Sequence, residues 1–146
     1  MADGLPAFPF PQEAIQAQAQ ANLNAMILGS LAYAKAQGHD SRHWAAFIGA
    51  AFAPGWAGIT TAGEAARALA LNCATTGMQL LSVEGDDMRS EVVTGNWPDQ
   101  ELLSMFGLSP TEVEGFWWIF EPIAKSVGLT YSWQREGNGL RFTITR

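Results

Sequence analysis

The stretch S-P-T-E-V-E-G-F-W-W-I-F-E-P-I-A-K-S-V-G, Ser109 to Gly128, decides most of the fold. Ser109 is a helix N-cap, Pro110 takes the first helical position, and Glu112 completes a capping box. Gly128 ends the element, because glycine enters left-handed backbone at no steric cost. One helix is predicted between these marks. At about 100° per residue, Val113, Phe116, Trp117, Phe120, Ile123, Ala124 and Val127 share an apolar face. Glu114, Glu121 and Lys125 form a narrow polar edge, with Glu121 and Lys125 in the favourable i,i+4 order. Gly115, Ile119, Pro122 and Ser126 form a third side. Trp118 falls beside the charged edge. A large indole is costly to leave in water, so it is expected to cover a partner subunit, an N-terminal arm or a pocket mouth.

Downstream, Leu129, Tyr131, Trp133 and Leu140, Phe142, Ile144 alternate with polar residues on either side of Gly137-Asn138-Gly139. That is a β-hairpin with one apolar and one hydroxyl-rich face. Upstream, Trp97-Pro98 is expected to start a short helix running to Phe106, with Asp99 and Glu101 in its first turn. Before it, Met78–Glu84 and Met88–Thr94 read as a first hairpin around Gly85-Asp86-Asp87.

The N-terminal half is helical in pattern. Gln12 to about Gln37 forms a long helix with Ile15, Ala19, Leu23, Met26, Ile27, Ser30, Tyr33 and Ala34 on one side. A second begins at His39-Asp40-Ser41 and carries Trp44, Phe47, Ile48, Ala51 and Phe52 on one face until Pro54-Gly55. Thr61 to about Thr75 is a third, opened by a Thr61/Glu64 capping box and lined by Ala62, Ala65, Ala66, Leu69 and Cys73. Ahead of them all, residues 1–11 are rich in Pro and Phe and read as an extended arm. The expectation is a single α+β domain over residues 1–146. Three helices come first, then two hairpins joined into one antiparallel four-stranded sheet, with a helical hairpin between them.

The chain has 146 residues, a formal charge of −6, only 15% charged residues and six Trp. Its eight Lys and Arg are scattered, so no basic stripe offers itself to nucleic acid or an anionic membrane. The apolar run from His43 to Gly63 is broken by Pro54, Gly55 and Gly58 and is not a membrane span. The single cysteine, Cys73, sits in an apolar stripe and is expected to be an inert core thiol. With no secretory signal pattern, a cytoplasmic setting is expected.

Catalytic patterns are thin. Neither a G-x-S-x-G elbow nor a phosphate loop is present. His39 and His43 are four apart, but a cap at Asp40 or Ser41 leaves His39 outside the helix, and no third histidine exists. No metal and no cofactor is expected. Glu121 in an aromatic helix, or His43, are the candidate acid/base groups should the chain be an enzyme.

The order of a helical N-terminal half, the run T-A-G-E-A-A-R-A-L-A-L-N-C-A-T-T-G (Thr61–Gly77) leading into a hairpin, and a helix before a last hairpin resembles small-molecule-binding domains of the vinyl-reductase type. It is similar also to the related thiazoline-carboxylate hydrolase-like group. The resemblance covers most of the chain after residue 12 and implies a ligand cavity between sheet and helices, and a dimer. Members often carry cysteines near the last hairpin. This chain has Tyr131, Trp133 and Phe142 there, so metal or thiol chemistry does not come with the resemblance.

Three functions are therefore in play: a binding or sensing domain for a hydrophobic or aromatic small molecule, a small cofactor-independent hydrolase or isomerase, and a non-catalytic assembly subunit. The expected cavity lies between the final hairpin and the helices, drawing on Trp44, Phe47, Trp117, Phe120, Tyr131 and Trp133. Tyr131 would orient a ligand as a donor and Glu121 as an acceptor. Phe8, Phe10 and Trp118 are the expected interface residues of a homodimer.

Overall fold

Helices α1 (Gln12–Ala36), α2 (Ser41–Phe52) and α3 (Ala62–Thr75) precede the first hairpin of β1 (Leu80–Gly85) and β2 (Arg89–Thr94) in the computed structural model, which describes residues 9–146. Short helices α4 (Gln100–Met105), α5 (Pro110–Val113) and α6 (Phe120–Ser126) follow, and β3 (Thr130–Glu136) and β4 (Gly139–Thr145) complete an antiparallel sheet ordered β1-β2-β4-β3. The fold is α+β, as the patterning predicted. Phe8 and most of the predicted arm lie outside the described residues, and Phe10 is exposed. Among the described residues no helix is long and apolar enough to cross a membrane.

The sheet's inner face is built by the predicted alternation. Val92 and Phe142 pair across β2 and β4, Thr94 faces Leu140, and all four are fully buried. Helix α3 packs beneath β1 and β2, and α6 beneath β3. The outer face is polar, with Arg141 held between Glu91 and Glu136. Strand β1 is different. It pairs only with β2, and Leu80, Leu81 and Val83 remain 40%, 57% and 42% exposed.

The organising stretch is not one helix. Its Ser109 cap accepts from the Glu112 amide, but Glu112 pairs with Lys35 and does not complete the expected capping box, and the α-helical bonding stops at Val113. Residues Glu114–Ile119 wind as a 3₁₀-helix, and α6 restarts at Phe120. Two residues account for the break. Pro122 has no N–H to bond back four residues, so it is accommodated in the first turn of a new helix, where that N–H would be unpaired anyway. Gly115 meanwhile presses against α2: a Cβ there would lie 2.4 Å from the Arg42 amide nitrogen. The Ser41 hydroxyl accepts the Gly115 amide at 2.9 Å.

That contact also corrects the buried face of α2. Of the face predicted from Trp44, Phe47, Ile48, Ala51 and Phe52, only Trp44 is buried; Phe47 is 73% and Phe52 59% exposed. Ser41, Ala45 and Gly49, spaced four apart, are the buried line, together with Trp44. A Cβ on Gly49 would come within 2.3 Å of the Ile119 carbonyl oxygen and 2.5 Å of Pro122 Cγ. A shallow track of small residues lets the 114–123 segment approach closely, and dispersion over that seam outweighs burial of two rings at the other edge.

In α1 only Leu28 and Leu31 are buried, and Ile15, Met26 and Tyr33 of the predicted stripe are exposed. The Thr61/Glu64 capping box and the predicted face of α3 are present. Helix α4 begins two residues later than the Trp97-Pro98 start predicted for it, because Asp99 is its cap, accepting the Leu102 amide at 2.8 Å.

Candidate functional site

Between the sheet and the helices, where a cavity was expected, the rings close on one another. Trp117 and Phe142 centroids lie 5.4 Å apart, Phe120 and Tyr131 5.8 Å, and the gap left there is about 10 Å³. Tyr131 is spent structurally. Its hydroxyl donates to the Trp117 carbonyl, and burial pushes the phenol well above its ordinary value. Trp133 is half-buried, edge-on to Trp118. Neither lines a sizeable cavity.

The open space lies elsewhere. A cavity of about 420 Å³ sits under α1, walled by α2, α3 and the 116–123 segment. Its floor is buried: Trp44, Cys73, Met78, Phe116, Trp117 and Ile123. Its mouth is marked by exposed lining residues, Met26, Phe52, Asn72 and Thr75. Of the residues expected to line a cavity, Trp44, Trp117 and Phe120 do so, while Phe47, Glu121, Tyr131 and Trp133 do not. Leu23, Met26, Ile27 and Ser30 belong to the apolar stripe predicted for α1. That stripe faces the cavity and is not closed into core, which is how α1 stays so little buried.

Polar detail is sparse. The Trp44 indole N–H donates to the Ser30 hydroxyl at 2.9 Å, tying α2 to α1 across the cavity. Ser30 in turn donates to the Ile27 carbonyl at 2.8 Å. Near the mouth, Thr75 and Thr76 donate to the Asn72 and Cys73 carbonyls at 2.6 and 2.7 Å. Cys73 is the one ionisable group among the described residues of the lining, and burial pushes its thiol up to about 12.

The acid/base candidates sit apart from this space. Glu121 pairs with Arg42 at 3.7 Å, replacing the expected Lys125, on an exposed surface. Arg42 also lies 4.2 Å over the Trp118 ring. That guanidinium, with Tyr131 and Trp133 at the ring's edges, packs on the half-buried indole from within its own chain. His43 is exposed and stacked on His39, 4.1 Å between centroids. Among the described residues no cluster of three or more His, Cys, Asp or Glu is placed to hold a metal. No protein-family model matches this sequence, and no curated protein matches it.

Proposed function

We propose that the chain is a binding or sensing domain for a hydrophobic or aromatic small molecule, taken up in the cavity under α1. The observation that carries this reading is the lining itself. It is aliphatic and aromatic on the floor, holds a few hydroxyl and amide groups, and has the about 300–1,000 Å³ scale of small-molecule sites. The resemblance in element order to vinyl-reductase-type binding domains favours the same reading. An acid/base enzyme built on Glu121 or His43 loses support, because neither group reaches this space.

Titration with aromatic and terpenoid compounds tests the proposal, since Trp44, Trp56 and Trp117 all line the cavity and report by fluorescence. Saturable quenching at micromolar ligand is the expected result, and Ile48→Trp, which places a bulkier ring in the space, should weaken binding. Failure of every compound to bind below millimolar removes the reading. Assembly as a homodimer is the second reading. The exposed Met26, Tyr33, Phe47 and Phe52 of α1 and α2 favour it, and native mass spectrometry would reveal both the dimer and a retained ligand.

A further inference from the structure

We infer that the cavity selects a neutral molecule bearing a hydroxyl group and rejects the carboxylate of the same skeleton. The inference rests on the binding role proposed above and concerns what that site accepts. Among the described residues no Asp, Glu, Lys, Arg or His lines the cavity, so a buried carboxylate meets no counter-charge there.

The hydroxyls sharpen the selection. Ser30 donates its proton to the Ile27 carbonyl, Thr75 to that of Asn72 and Thr76 to that of Cys73. None of these hydroxyls has a further proton to offer; the Thr75 and Thr76 oxygens keep their lone pairs, and Ser30, which also accepts the Trp44 indole N–H, keeps one. A ligand hydroxyl donates into such lone pairs, whereas a carboxylate, an acceptor only, is repelled by them. At the mouth a carboxylate meets the Asn72 amide, one N–H of which is taken by the Ala68 carbonyl, but no cation among the described residues. Asn72, Thr75 and Thr76 form the last turn of α3, whose carbonyls present the negative end of the helix dipole. The protein's net charge of −6 adds to that repulsion.

The test is calorimetric titration of the full chain with n-decanol and with decanoate at about pH 8, where the acid is ionised. The alcohol is expected to bind at least about tenfold tighter. In Thr75→Arg a cation is added at the mouth, at an exposed position where a helix C-terminus favours it, so folding should be kept and a thermal melt checks that. This variant should narrow or reverse the preference. Wild-type protein that binds decanoate as tightly as decanol overturns the inference and leaves the binding role standing. An unchanged ratio in folded Thr75→Arg overturns it too. If neither decanol nor any aromatic or terpenoid compound binds, the binding role falls and this selectivity with it.

Discussion

Gly49 shows how much rests on a residue that contributes no side chain. In an ordinary helix interior, Gly→Ala gains about 1 kcal/mol from propensity alone. Here the added Cβ meets the Ile119 carbonyl, a backbone atom that cannot swing aside. Gly49→Ala should therefore destabilise by about 1–3 kcal/mol, as overpacked cores do, read as a lower urea midpoint. A gain in stability would show that the seam with the 114–123 segment is loose. None of this was legible beforehand, because small residues give no hydrophobic signal, while Phe47 and Phe52 gave a strong one for the wrong side. Cys73 was legible, lying within an apolar stripe. Its thiol rises from the ordinary 9.0 to about 12. Between those values the unfolded chain releases the proton and the folded chain keeps it. The contribution is thus full below about pH 9 and is lost as pH rises toward 12. Relative to Cys73→Ala, the wild type should lose stability with pH across that window, and its native thiol should resist Ellman's reagent near neutral pH.

Helix starts were the most readable elements, because a cap is a local bargain between neighbours. Thr61 accepts the Glu64 amide at 3.1 Å, and the Glu64 carboxylate accepts the Thr60 and Thr61 amides at 2.8 and 3.3 Å. The Thr60 amide, then its hydroxyl, hold the Glu64 carboxyl below the usual range. Thr61→Ala should cost about 0.5–2 kcal/mol, visible as a drop in melting temperature, and Thr61→Ser should restore most of it. Helix continuity was harder to read. Between Ser109 and Gly128 the caps and the apolar period argue for one helix, and only Pro122 argues against. The competing term is the close approach of Gly115 to Ser41, a contact seventy-four residues away in sequence. The last hairpin needed no such distant information. Its alternation and its glycine turn agree with each other, and Gly137 takes the left-handed backbone that turn requires.

For the molecule as a whole, the class and the sheet followed from patterning, but the placement of free volume did not. The aromatic surplus was expected to leave space beside the sheet. Rings that meet at 5–6 Å through tilted and edge-to-face contacts fill that layer instead, as at Trp117–Phe142 and Trp97–Phe116. Space was left where α1 lies over its neighbours with few large buried side chains of its own.

The two rims of the sheet differ in a way that bears on storage and handling. Strand β3 ends in Arg135 and Glu136, whose charges discourage another strand from docking. The other rim, β1, is led by Met78-Gln79-Leu80-Leu81-Ser82-Val83, six residues with no charge and no proline. Such segments at an unpaired rim template fibrils, chain adding to chain through the backbone. Heated, concentrated protein should therefore develop thioflavin-positive aggregates that grow from seeds. Ser82→Lys puts a charge on the polar face of that rim and should suppress them while leaving folding stability within about 0.5 kcal/mol. Seeded growth at the wild-type rate in Ser82→Lys would place the vulnerable segment elsewhere in the chain.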